Sequence, residues 1–237
     1  MYRKFGPLRS SRLTGVFSSL MLALFLVACS SSNNTMPTAQ QLISNAQTAI
    51  QKVSSYHFNL NVDNPGTGGA LIVKSADGDI LVPDKLKATA KALMLGNVMQ
   101  VQLVSIRDKQ YVTDPITSQW GPTRGLLDPR TLSDSKTGVA SILGHIQDPS
   151  TPTDDSVDGT SCWKINGKLD AQYLAGITGG GAPAGSLVDT IACIGKSDNL
   201  PYLIILTGIA AKGDYQNTRR TFKLSKFNES LTITAPI

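Results

Sequence analysis

The 237-residue sequence contains few residues suited to acid–base or metal chemistry. Sixteen of its 17 acidic residues are aspartate, Glu229 is the single glutamate, and there are two histidines, His57 and His145. Neither histidine has a carboxylate or a cysteine beside it in the sequence, so we interpret both as ordinary surface or rim residues. The acidic residues between 148 and 158 lack the spacing and the closing glutamate of an EF-hand. We therefore expect a solvated loop there, and we predict neither a metal nor a cofactor.

Motifs of serine enzymes are absent or misplaced. The sequence has no G-x-S-x-G. It does contain three strings typical of penicillin-recognising enzymes: S-x-x-K at 133–136, K-T-G at 136–138 and S-D-N at 197–199. In those enzymes the three strings come from separate elements, whereas here two of them share Lys136, which cannot serve in both. We therefore predict that the protein is not an enzyme.

The excess of positive charge is confined to the N-terminus. The chain has 22 Lys and Arg against 17 Asp and Glu, a formal net charge of +5. Four of the basic residues precede residue 29, where there is no acid, so the remainder has 18 basic and 17 acidic residues. Because this remainder is nearly neutral and no aromatic residues alternate with its basic ones, we predict no nucleic-acid partner.

The first 28 residues have the layout of a secretory signal peptide. A basic segment is followed by an apolar run at 13–28, which is too short for a comfortable transmembrane span. The run ends in LVAC (26–29), a bacterial lipobox, in which the peptidase cuts before Cys29 and the thiol then receives a diacylglyceryl group. Residues 29–37 are expected to form the lipidated end and a flexible tether of roughly 25 to 30 Å. These features predict a domain at 38–237 on the extracytoplasmic face of the cell membrane, held there by acyl chains on Cys29.

The two remaining cysteines are Cys162 and Cys193. An even remainder in an oxidising compartment favours one disulfide. A metal or redox pair is the alternative, but there is no C-x-x-C and no nearby histidine to support it.

Residue periodicity predicts a helix followed by a long antiparallel sheet. Thr38-x-x-Gln41 is typical of a capping box, and apolar residues at helical spacing continue to Val53. Asp158-Gly159 is typical of a two-residue hairpin turn, and Asp170 is expected to cap a brief helix. A short helix is predicted near 139–146. Strands are predicted from Tyr56 to Val62 and at 70–82, 86–95, 98–106, 110–114, 187–194, 200–210, 218–227 and 230–235.

A basic run accompanies one of the last strands, with Arg219, Arg220, Lys223 and Lys226 close together. We interpret it as a solvated edge that discourages pairing with another sheet. Contact with anionic lipid head groups is the alternative.

The predicted strand at 86–95 carries small residues where a core needs large ones. Its apolar face includes Ala88, Ala90 and Ala92, which remove volume compared with the Val, Ile and Leu of a close-packed core. Either the first helix approaches this strand closely or an apolar cavity remains above it.

Short strings recur in a characteristic order along residues 38–237. They are VSSYHF (53–58), SADGD (75–79), PDKLK (83–87), YV (111–112) before Trp120, DP (128–129), KTGV (136–139), VDG (157–159), KING (164–167), LSKF (224–227) and LTITAP (231–236). No single string is specific, but their shared order behind a lipobox is. In this order the chain resembles the LppX/LprG family of bacterial lipoproteins.

This resemblance implies an α+β fold: a strongly curved antiparallel sheet, or half-barrel, with a few helices packed on its concave face, similar to the carriers LolA and LolB. It also implies a hydrophobic cavity between the two layers that accepts the acyl chains of envelope lipids. We expect the cavity to be lined by Phe58, Leu60, Val62, Ala88, Ala90, Ala92, Met99, Val101, Leu103, Ile142, Leu143 and Ile146.

The sequence differs from the family in three places. It has CIG at 193–195 where the resemblance implies a strand ending in W-I-D, it has a cysteine pair, and it has its own flexible, glycine-rich loop at 179–185. A disulfide between neighbouring strands would replace a buried aromatic residue by a covalent link.

The function predicted on this basis is a membrane-anchored lipoprotein that carries or presents a lipid or glycolipid in the cell envelope. Its expected partners are the acyl chains of that lipid, the membrane itself, and an envelope lipid exporter or other lipoproteins. The alternative is a cargo-free chaperone, receptor or interaction module, which predicts a small cavity and an exposed apolar patch.

Replacing the acylated cysteine tests the predicted anchor. We expect Cys29→Ser to abolish lipid attachment, because serine has no thiol to receive the diacylglyceryl group, and to weaken membrane association, because the acyl chains supply the predicted anchor. Metabolic labelling with a fatty acid and fractionation of cells measure both effects. Ser30→Ala, which keeps the cysteine, is the control, and a labelled Cys29→Ser protein would contradict the prediction.

Overall fold

The computed structural model describes residues 36–67, 72–94, 96–125 and 128–237. The predicted signal peptide, Cys29 and most of the predicted tether lie outside these residues. Residues 36–237 form a compact unit. Among the described helices, none has the length and apolar character needed to cross a membrane.

The predicted first helix is present as α1 (Ala39–Ile50). Thr38 caps it: the Gln41 amide donates to the Thr38 hydroxyl at 3.2 Å, and the Thr38 amide donates to the Gln41 side chain at 2.9 Å. The apolar face of the helix buries Leu42, Ile43 and Ala46. A reciprocal cap of this kind satisfies two backbone donors that the first turn otherwise leaves unpaired.

Within the described residues the sheet has eleven strands, all paired antiparallel, in the order β6-β5-β4-β3-β2-β1-β11-β10-β9-β8-β7. It is curved and open, so the predicted fold class is confirmed. The strands are β1 (Ser55–Asp63), β2 (Ile72–Leu81), β3 (Lys85–Met94), β4 (Asn97–Ile106), β5 (Lys109–Thr113), β6 (Trp120–Thr123), β7 (Thr153–Val157), β8 (Thr160–Asp170), β9 (Leu187–Gly195), β10 (Pro201–Thr207) and β11 (Arg219–Ser225).

In the described part of the chain, three further short α-helices accompany the sheet: α2 (Pro129–Ser133), α3 (Val139–Gly144) and α4 (Ala175–Thr178). The sequence predicted α3 and a brief helix capped by Asp170, which is a 3₁₀ helix (Ala171–Leu174) whose Gln172 amide donates to the Asp170 carboxylate. It missed α2, although the Asp128 cap followed by Pro129 is a usual helix start. α3 packs on α1, and the Gln47 side-chain amide donates to the Ala140 carbonyl at 3.1 Å.

The last predicted strand, at 230–235, is wrong: this segment has no strand pairing. Its alternating pattern reflects burial on one side, since Ile233 is buried. The strand before it, β11, is already bonded on both sides, to β1 and β10, and offers no free edge.

The same arrangement overturns the interpretation of the basic run as a solvated edge. β11 lies in the middle of the sheet, and its side chains alternate between the two faces. Arg219 is exposed, Lys223 forms an ion pair with Asp158 at 2.9 Å, and Arg220 is turned to the opposite face.

The predicted disulfide is present between Cys162 on β8 and Cys193 on β9, with 5.5 Å between the two Cα atoms. These are neighbouring antiparallel strands, and Cys193 faces Lys164 in the register. Both cysteines are fully buried and pack with Val157.

Removing the disulfide is expected to lower the free energy of unfolding by about 3.5 kcal/mol. The bond joins residues 31 positions apart in the sequence, and closing this loop restricts the unfolded chain. The comparison is between the wild type and the Cys162→Ala, Cys193→Ala double variant in urea unfolding. The double variant should unfold alike with and without a reducing agent, since it has no disulfide to reduce. A difference from the wild type below about 1 kcal/mol would contradict the chain-entropy account.

Candidate functional site

A large apolar cavity lies between the concave face of the sheet and the short helices. Its volume is about 1330 Å³, above the roughly 300 to 1,000 Å³ of ordinary small-molecule pockets. The inward residues of β1 to β5, β10 and β11 form its floor. Residues of α2, α3 and α4 and of the β5–β6 loop line it as well.

The alanines of β3 line this cavity, so the space above them is left open. Ala90 pairs across the sheet with Ala76 on β2 and with Val101 on β4, and both of these also line the cavity. Ala88 pairs with Gly78. Small side chains on two neighbouring strands therefore deepen the concave face in the same place.

Nine of the twelve residues expected in the lining are found there: Phe58, Leu60, Val62, Ala88, Ala90, Ala92, Val101, Leu103 and Ile142. That they contact a ligand stays a prediction.

The other three expected residues lie outside the lining of this cavity. Leu143 follows Ile142 by about 100° around α3 and is fully buried in the core instead. Ile146 lies beyond the end of α3 and packs beside Gly167 of β8. Met99 is on the part of β4 that extends past its neighbour β5, whose pairing with β4 ends at Leu103 and Val112.

Sequence reasoning missed two parts of the lining. One is the segment around Trp120 in β6, where Gly121 and Pro122 obscure the strand pattern. The other is the start of the glycine-rich loop, where Gly179 and Gly180 line the cavity with positive φ values of 82° and 73°. The run of glycines at 179–181 is the one signal in the sequence that the backbone follows an unusual path here.

The lining is apolar with a few charged groups. Hydrogen bonds from the backbone amides of Thr117 and Ile116 lower the pKa of the Asp114 carboxyl. The hydrogen bond from Arg130 lowers the pKa of Asp128. Both carboxylates are thus stabilised in their ionised form by groups of their own segments.

The other candidate groups take part in ordinary structural contacts. On the convex face, the His57 ring lies between Asp79, at 2.8 Å, and Asp77, at 3.3 Å, both on β2. The sequence did not indicate these carboxylates, because they face His57 only through strand pairing. His145 stacks on Tyr173 with 3.6 Å between ring centroids.

The acidic segment is partly a strand. Asp154 and Asp155 belong to β7. Asp154 forms an ion pair with Lys196, which directly follows β9, and Asp155 forms one with Lys164 on the neighbouring strand β8. Within the described ranges, no group of three or more His, Cys, Asp or Glu side chains is arranged to hold a metal ion.

Tyr56 is buried beside the cavity with an unpaired hydroxyl. Its side chain lines the cavity, but the hydroxyl oxygen is enclosed by protein and has no hydrogen-bond partner among the described residues. Burial raises the pKa of this phenol well above its usual value, so it stays protonated.

Curvature, open edges and an apolar interior define this domain as a half-barrel built around an internal cavity. The chain belongs to the LppX_LprAFG lipoprotein family, whose sequence profile matches residues 38–233.

Related proteins agree with this assignment. The lipoarabinomannan carrier protein LprG of Mycobacterium tuberculosis is 27% identical over 177 residues, which cover 71% of this chain and 74% of LprG. The putative diacylated glycolipid transporter LprF of the same species is 26% identical over 147 residues, covering 58% and 54%.

Solved structures show the same fold. The crystal structure of LprF from Mycobacterium bovis matches with a TM-score of 0.68 at 18% identity, covering 84% of this chain and 96% of LprF. That of LppX from Mycobacterium tuberculosis matches with a TM-score of 0.60 at 20% identity, covering 83% and 98%.

The buried hydroxyl of Tyr56 gives a stability prediction. An unpaired buried polar group costs about 1 to 3 kcal/mol, so Tyr56→Phe is expected to leave the melting temperature unchanged or to raise it. Tyr202→Phe is the matched control: the Tyr202 hydroxyl donates to Asp198 at 2.7 Å, and its loss should lower the melting temperature. A clear loss of stability in Tyr56→Phe would show that its hydroxyl does have a partner.

Proposed function

We propose that this protein is a membrane-anchored lipoprotein that binds the acyl chains of a lipid or glycolipid in its cavity and carries or presents that lipid in the cell envelope. The observation that carries the proposal is the apolar cavity of about 1330 Å³ on the concave face. Two relatives support it by name, since one is a lipoarabinomannan carrier and the other a putative transporter of diacylated glycolipids.

The size of the cavity suits acyl chains. A methylene group is of about the size of a water molecule, which occupies roughly 30 Å³ in the liquid, so the cavity has room for about forty of them. That corresponds to two palmitoyl chains with space remaining. Each methylene transferred from water into the cavity contributes about 0.8 kcal/mol, and the chains can therefore be held without a charged partner.

The cavity also favours a carrier over a cargo-free chaperone or interaction module. A cargo-free module predicts a small cavity. A wide apolar space that stays open above Ala88, Ala90 and Ala92 is costly for the folded chain unless a ligand fills it, because the lining atoms lose contacts. The proposed role is binding and not catalysis, in keeping with the relatives named as carrier and transporter.

The proposed anchor follows from the lipobox. After cleavage before Cys29, residues 29–37 would tether the domain at 38–237 to the outer surface of the cell membrane. Thr38, where the tether ends, caps α1, so the tether meets the folded domain at an ordered helix start. The domain could then reach lipids of the same membrane or those delivered by an envelope exporter.

Filling the cavity tests this function. Ala90→Trp puts a large side chain on the cavity floor and is expected to remove most of the bound lipid while the protein stays folded. The measurement is mass spectrometry of lipids that copurify with the protein from its host, with the fold checked by circular dichroism.

Lys91→Trp is the matched control, because it adds the same side chain one residue further along β3 on the exposed convex face. Its lipid content should equal that of the wild type. Wild-type protein without any copurified lipid would contradict the proposal, and unchanged binding by Ala90→Trp would place the chains elsewhere.

A further inference from the structure

One strongly basic side chain interrupts the apolar concave face. Arg220 points into the cavity from β11, between Val62 of β1 and Leu206 of β10, with which it is in register. The next inward residues of the strand, Phe222 and Leu224, are apolar and line the same cavity. Along β11 the floor of the cavity thus changes from a cation to hydrocarbon.

Arg220 is held in place by a buried carboxylate. Its two terminal nitrogens donate to Asp214 at 2.6 and 2.8 Å, and the side chains of Arg220 and Asp214 are only 12% and 5% exposed. Asp214 also accepts from the backbone amides of Ala210 and Ala211. An arginine has five N–H donors, so Asp214 fixes the plane of the guanidinium and leaves three donors for another acceptor.

A second cation lines the same part of the cavity. Lys212 is two residues before Asp214, its side chain is exposed, and it forms no ion pair with any residue of the described part of the chain. The two other carboxylates of the lining, Asp114 and Asp128, are engaged by their own loop amides and by Arg130. Arg220, Lys212 and Asp214 together therefore carry one net positive charge.

The position of this group suits the polar end of a lipid. Four residues separate the end of α1 from the start of β1, and Arg220 is paired with Val62 near the other end of β1. A ligand whose chains lie along Phe222 and Leu224 toward α1 would have its polar end beside Arg220 and Lys212. Lys212, at this end, is exposed to solvent.

We propose that Arg220 and Lys212 bind the anionic head group of the lipid, a phosphate diester or a group of the same charge and size. This inference rests on the proposed lipid-binding function and adds a preference for charge to it. Planar guanidinium donors and a neighbouring ammonium are suited to phosphate oxygens. A purely stabilising role explains the Arg220–Asp214 pair poorly, because desolvation offsets much of the attraction within a buried ion pair.

The test is a competition between two lipids with identical chains, dipalmitoyl phosphatidylglycerol and dipalmitoylglycerol, offered at equal concentration to the exported full-length protein. Native mass spectrometry gives the ratio of bound anionic to bound neutral lipid. We expect the wild type to favour the anionic lipid by roughly tenfold, the effect of one or two charge-assisted hydrogen bonds. Arg220→Met should remove most of this preference while the neutral lipid stays bound.

Arg219→Met is the matched control, since it removes the same charge from the adjacent residue of β11 on the opposite face of the sheet and should leave the ratio unchanged. Lys212→Met keeps the buried ion pair and should also lower the ratio. It therefore tests the inference even if Arg220→Met fails to fold. Arg220→Lys should restore part of the preference.

Each other outcome counts against the inference. If Arg220→Met and Lys212→Met both keep the wild-type ratio, Arg220 only fastens the loop that contains Asp214. Inorganic phosphate added well below the effective concentration of a tethered head group, which is about millimolar, should leave most of the preference in place. If it abolishes the preference, the cations bind a free anion better than a head group. If the wild type binds the neutral and the anionic lipid equally well, this inference alone is overturned. If it binds neither lipid, the proposed function is contradicted as well.

Discussion

The structure depends on keeping one face of a curved, eleven-stranded sheet away from water. Strand alternation places the apolar side chains of β1 to β5, β10 and β11 on the concave side, and a sheet cannot hide that face by itself. The elements that cover it are small: α1 has 12 residues, whereas α2, α3 and α4 have five, six and four. Because these helices are too short to fill the concave side, and because β3 contributes alanines, the apolar layers are separated by a space.

Much of this fold could be predicted from local patterns. The alternation of β1 to β5 is strong, and their ends were predicted to within about two residues, as was the capped start of α1. Alternation reports which face of a segment is buried, but not which other strand it pairs with. For that reason Arg219 and Arg220 were assigned to an edge that is in fact the middle of the sheet, and the residues around Ile233 were predicted as a strand without an available partner.

The candidate site was predictable to a similar degree. Small residues such as Ala90 indicate missing volume, and volume is a local property of a strand. The roof of the cavity is not local, since it combines the β5–β6 loop, α2 and the loop around Gly179, which are distant in sequence. The pairing of Arg220 with Asp214 likewise depends on a loop geometry that no periodicity reveals.

The pairing of β1 with β11 determines when the centre of the sheet can form during folding. The first strand of the domain, β1, has one neighbour close in sequence, β2. Its other neighbour, β11, is more than 150 residues away, and the pairing runs from His57 with Ser225 to Asp63 with Arg219. Contacts of such long range form late, because a large loop has to close before they contribute. A chain that becomes available N-terminus first therefore cannot complete the centre of its sheet until nearly its last residues are free to fold. The concave face, and with it the cavity, is complete only at that stage.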